Sequence, residues 1–414
     1  FSSDFSTSGW TFASTLTGLT IGKAGNTRNI TISSAQTIAG PISVYGGTIY
    51  ANSNLTSTIA SDISLYAAHN VNMYTPLVTL STAGGNILLN SNTDDNGGAI
   101  NLDRVTLASN GGNISLVGGS DGSGYAQGID TDASTDLSFQ TKLKGIFLNG
   151  THLDATGTSS GGNILLRGKG WQGTSNTTTG YFPIGIDFVA YGLYSNTRGT
   201  EITTNGAGTI TLDGIGGNQN TNSAHNVGIN FFSDNGAANI ISAASGAINV
   251  KGTAGNQVLS SLYAGINLDG GVASIYSNSG NVTLEGVAAN STDVGIRSGA
   301  TMNIGWDGTN AGTSGNIVLS ANSIISSSSL SVNGRGSLTV QPYGTSFFNA
   351  LSWPLTNSTL SSGLTGLTLG KPTNTADITI SSAQSIGGPI AIYGGDIDLY
   401  DLTVSSGRGD IKVL

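Results

Sequence analysis

The chain has 414 residues, only 9% of them charged, and its 14 basic and 23 acidic side chains leave a net charge of −9. That balance supplies no basic patch for nucleic acid or anionic lipid. With no Cys there are no disulfides, thiolate metal sites or thiol nucleophiles.

Phe1 is not an initiator Met, and residues 1–10 lack a basic segment followed by an apolar one, so the start reads as a boundary inside a larger protein. Phe5 and Trp10 are expected to pack against whatever follows. The next stretch, Leu16 to Ile49, returns as Leu364 to Ile397, with 24 of 34 positions identical at an offset of 348. Phe5 and Trp10 reappear as Phe348 and Trp353 at an offset of 343, five extra residues separating Trp353 from its Leu. Residues 1–343 are therefore expected to form one long unit and 344–414 the start of a second copy, the signature of a tandem array.

Within the unit, apolar residues alternate over short runs divided by Gly, Asn, Ser or Pro, which predicts strands and turns and no helix of any length. Gly is abundant, at 63 residues, yet the regular return of Ile, Leu and Val argues against disorder. From about residue 80 a Gly-x-Ile-x-Leu motif recurs, for instance at Gly85–Leu89, Gly112–Leu116, Gly162–Leu166, Gly208–Leu212, Gly280–Leu284 and Gly315–Leu319. Gly-Ile pairs at 145, 185, 228, 265 and 295 accompany it, 40, 43, 37 and 30 residues apart. A three-residue apolar strand is too short to stand alone. Stacked one per coil at ~4.8 Å, such strands form parallel sheets around a thin aliphatic core. The expected fold is all-β: a right-handed parallel β-helix, or β-solenoid, with variable loops. At about 9 to 17 coils the unit is on the order of 45–80 Å long. Asn beside the corners is expected to hydrogen-bond along the axis. No apolar run approaches the ~20 residues that span a bilayer.

The Gly-Gly-Asn-Ile-x-Leu coils, the absence of Cys and the long repeat together resemble the filamentous-haemagglutinin-like exoproteins of bacterial two-partner secretion. Residues 30–49 and 378–397 look like the repeats of giant bacterial surface proteins of that kind. The resemblance implies export to the bacterial surface, a rigid fibre or adhesin serving attachment or biofilm formation, and no enzyme activity. Neighbouring repeats of the same chain are the expected partners, with surface glycans and lateral or end-to-end self-association as further ones. No cofactor is implied.

Several residues carry alternative chemistry. Trp171, Tyr181 and Phe182 sit in the longest polar insert, where aromatic faces suit sugar stacking or a small satellite cluster. Arg408-Gly409-Asp410 is an integrin-type tripeptide at a corner position. Asn176 and Asn290 are the glycosylation candidates among the sequons. Asp94, Asp95, Asp121, Asp130, Asp132 and Asp136 could supply oxygen ligands, but no calcium-loop spacing organises them. A polysaccharide-degrading β-helix would need paired carboxylates, or Asp with Lys or Arg, in one cleft. The carboxylates look scattered, and His69, His152 and His225 look isolated. A phage tail fibre or tailspike is the other alternative, with three chains side by side as its mark.

Overall fold

The computed structural model describes residues 1–129, 143–173, 182–190, 199–218, 225–234, 236–255, 264–309, 312–399 and 404–414. These residues contain no helix, and every pairing between their strands is parallel. The fold is a parallel β-helix of three-strand coils. Leu19–Ile21, Ile30–Ile32 and Gln36–Ile38 make one coil, followed by Ile42–Gly46, Ile49–Ala51 and Leu55–Ser57.

Each strand stacks on its equivalent, so three sheets wrap one core. Face B carries the Gly-x-Ile-x-Leu strands and face A the Gly-Ile strands. Face C carries the short strands that follow them in each coil, such as Gln36–Ile38 and Leu55–Ser57. On face B a single column of aliphatic residues runs Leu19, Ile42, Ile63, Ile87, Ile114, Ile164, Ile210 and Ile248. It continues through Val282, Ile317, Leu338, Leu367, Ile390 and Ile411. All but the last are buried. The period-2 alternation causes this: Ile and Leu turn inward, Ser, Thr and Asn turn out. Each enclosed side chain contributes roughly 1.5–3 kcal/mol. Phe188 and Phe231 widen the core in mid-chain, fully buried and stacked at 4.7 Å between centroids.

The corners are tied by Asn, though not through amide-to-amide contacts. Asp62, Asn86, Asn113 and Asn163 form one column in which each Oδ1 accepts the backbone N–H of the next coil, ending at Thr209. Asn281 and Asn316 do the same toward Ser337.

The second copy stacks on the first. Its strand Gly366–Leu369 pairs with Ser337–Gln341, and eleven coil steps separate Leu19 from its counterpart Leu367. Face B passes through this junction unbroken, whereas faces A and C restart beyond it as short sheets. Local geometry repeats too: Gly22 and Gly370 have φ of 80° and 77°, and Asn26 and Asn374 each donate to a tyrosine carbonyl at 2.8 Å.

The aromatic correspondence upstream is different from the one the sequence suggests. Phe5 pairs with Ile30, and the residue paired with the equivalent Ile378 is Leu351. Trp353 accordingly takes the place of Thr7. It is fully buried, while Trp10 is 49% exposed and touches the rings of Phe5 and Phe12 instead. The extra residues after Trp353 supply the strand Ser358–Leu360, which pairs with Leu330–Val332 of the unit below. The first copy has no such strand.

Candidate functional site

The largest inserts leave the coils beside face A, between about residues 118 and 294. Beside them the outward side of the Gly-Ile strands forms the floor of a cleft. The residue after each Gly-Ile pair points out there: Phe147, Asp187, Asn230, Asn267 and Arg297, in direct register from coil to coil. Lys144 donates to Asp187 Oδ2, and the ion pair is almost fully buried. Asn230 donates to Asp187 Oδ1 at 2.8 Å, Asn267 to Asn230 at 2.7 Å, and Arg297 to Asn267 at 2.9 Å. Arg297 also reaches Asp269 at 3.3 Å. The result is an axial chain of side-chain hydrogen bonds with two cations and two carboxylates, so the buried charge is balanced.

A cavity of about 310 Å³ opens over this chain, bounded by Lys144, Asp187, Phe182, His225, Phe232 and Asp269 among others. His225 stands edge-on to Phe182 at 4.4 Å. Burial holds the His225 imidazole below its ordinary pKa, opposed by Asp269 and Asp187. It is the neutral, apolar-walled form that this setting favours.

Thus Lys, Asp, Arg and His that look scattered along the sequence meet in one cleft. The signal was present, since each floor residue follows a Gly-Ile pair. Only stacking brings positions some 30 to 43 residues apart into contact. Catalytic geometry is another matter. Asp187 is sealed, with Lys144 and Asn230 on its two oxygens. Asp269, on the same cavity lining, lies two coils away, ~10 Å along the axis.

The other candidates fall as follows. Phe182 lines the cavity, and Trp171 does not; its backbone bridges Leu143 and Asn218. Tyr181 and Asn176 lie outside the described residues, as do Asp130, Asp132 and Asp136. Arg408, Gly409 and Asp410 are exposed at the corner before Ile411–Val413, with Gly409 at φ 119° and the Asp410 carbonyl accepting from Ile390. Asn290 is half-buried and its Oδ1 accepts from Thr292 of its own sequon. Asp94, Asp95 and Asp121 hold loop turns, and no group of three or more metal-ligating residues occurs among the described residues. His152 is partnered by Glu201 at 3.3 Å across neighbouring coils, and His69 lies 3.9 Å from Asp94. No helix among the described residues is long and apolar enough to cross a membrane.

No family model matches this chain, and no curated protein and no solved structure does.

Proposed function

We propose that this chain is a structural and adhesive segment of a bacterial extracellular surface fibre, assembled from tandem β-solenoid units and without catalytic activity. One observation carries the reading: the first face B strand of the second copy, Gly366–Leu369, pairs with the last face B strand of the first, Ser337–Gln341, in the same parallel register as every other coil of face B. A unit so built continues the rod beneath it without a linker, and stability accumulates coil by coil along a one-dimensional stack. The sealed state of Asp187 supports a scaffolding role for the face A cleft. The resemblance of the coil motif to exported bacterial fibres supports the cell-surface setting.

Electron microscopy of native material tests the fibre. Thin unbranched rods are expected, with ~4.8 Å layers and a longer axial repeat of ~53 Å from eleven coils. Compact particles or side-by-side trimers would overturn it. Release of reducing ends from a polysaccharide panel, abolished by Asp187→Asn, would overturn the non-catalytic part.

A further inference from the structure

A second concavity lies along the early coils, over the outward side of face B. It is a groove of about 520 Å³ with Tyr45 and Tyr66 in its floor. We infer that this groove binds an uncharged oligosaccharide, with Tyr45 and Tyr66 as the stacking platform and Asp94 and Asp121 as hydroxyl acceptors. The inference deepens the adhesive half of the proposed function.

The two rings are cross-strand neighbours, parallel within 7° and 4.8 Å apart between centroids. Face-to-face carbon contact needs only ~3.5–4 Å, so the rings are offset and each leaves part of its face uncovered. Both are half-buried, and neither phenol hydroxyl has a protein hydrogen-bond partner among the described residues. A pyranose matches this combination. Its C–H face meets the negative ring face, and its hydroxyls meet groups that lack partners.

The ends of the groove are fixed in advance. At one end the residue in register below Tyr45 is Gly22, at φ 80°, and a Cβ there would sit 2.2 Å from the Tyr45 carbonyl. No side chain therefore covers that side of the ring in register. Asn26 pins the turn to the Tyr45 carbonyl at 2.8 Å. At the other end Asn90 stands in register with Tyr66, buried, with its Oδ1 unpartnered. The loop of Asp94 and the hairpin of Asp121 are tied together by Asp95, which accepts from the Ser120 N–H at 3.2 Å. Hydrogen bonds from Ser123 hold the Asp121 carboxyl below its ordinary pKa, so it stays an acceptor.

Charge and backbone settle the ligand class. Lys23 is the one basic side chain on the lining, against Asp94 and Asp121, which disfavours sulfated or phosphorylated chains. The strands beneath are paired on both sides, Ile42–Gly46 with Leu19–Ile21 and Ile63–Ala67, so no free strand edge is offered to a peptide. From the Gly22 turn to the Asp121 hairpin the groove spans four coil steps, ~19 Å, which suits an extended chain.

Isothermal titration of the full chain with cellotetraose, chitotetraose and maltotetraose tests the inference. At least one is expected to bind saturably and independently of salt. Tyr66→Ala and Tyr45→Ala should each weaken it about tenfold or more, and Tyr66→Phe much less. Asp121→Asn, on an exposed hairpin, should weaken binding with the circular dichroism unchanged, so the test survives if a tyrosine variant misfolds. Binding by none of the three, or undiminished binding by both the Tyr66→Ala and Asp121→Asn chains, overturns the groove. Microscopy of the same sample separates the two readings. Rods that bind no sugar retire only the groove, and compact particles that bind sugar retire only the fibre.

Discussion

Lys251 and Glu285 face each other across adjacent coils, Nζ to Oε1 at 3.3 Å, in direct strand register. They are the end of a column on the outward side of face B that reads Arg167, Asp213, Lys251, Glu285, alternating in sign at every coil. Burial alone would lower the Lys251 pKa, but Glu285 and Tyr343 carry it above its ordinary value. Opposite charges facing each other favour the native register, and a slipped coil would bring like charges together.

Glu285→Lys should therefore destabilise these coils by about 1 kcal/mol or less, since directly opposed like charges cost that much. Reversing Lys251 to Glu in the same chain should rescue only part of the loss, because Asp213 then faces a carboxylate. Urea unfolding checks both. Complete rescue would mean an isolated pair rather than a ladder.

The Lys144–Asp187 pair under the face A cleft should be more demanding. Lys144→Met leaves a buried carboxylate without its cation, at a cost of roughly 3–5 kcal/mol. Lys144→Met with Asp187→Leu should recover most of that. Hydrogen exchange across residues 143–149 and 186–190 gives the local readout suited to a stack that opens in pieces.

Phe188 and Phe231 fill the core side by side. Phe231→Ala should cost about 3–5 kcal/mol, and Phe231→Leu distinctly less, because most of the volume is kept. Thermal denaturation compares the two.

Asp293 gives a pH signature. Burial raises its carboxyl pKa, although the N–H groups of Ala289 and Asn290 pull the other way, and its Oδ1 is buried without a partner. A carboxyl raised on folding contributes fully below the unfolded carboxylate range and loses that contribution as pH rises through its folded value. Asp293→Asn should raise Tm at neutral pH and give no gain in acid. A Tm-against-pH series on both chains decides it.

Tyr125 closes the hairpin of residues 118–127 onto the ladder by donating to Asp213 at 2.5 Å. Burial first, then Asp213, raises its pKa to about 12. Tyr125→Phe should cost about 1.5–3 kcal/mol at most, as for a hydrogen bond to a charged group. In the parent chain that contribution is whole below the ordinary tyrosine range near pH 10 and fades toward about pH 12. Absorbance titration of the phenol, with melting curves on both chains, checks it.

The sequence by itself determined the three-strand coil, the inward Ile and Leu columns and the repeat of Leu16–Ile49. All of these rest on local spacing, alternation of period 2 and Gly at the corners, and need no knowledge of what lies above or below. It also held, unread, the outward ladders, because Arg167, Asp213, Lys251 and Glu285 each follow an Ile-x-Leu or its equivalent. What only the tertiary structure decided is which distant residues meet. Coils range from 21 to 50 residues, so sequence separation does not predict a neighbour, whereas the common ~4.8 Å rise does. That rise joined Lys144 to Asp187 and paired Tyr45 with Tyr66, while strand register put Trp353 in the inward place that Thr7 holds in the first copy.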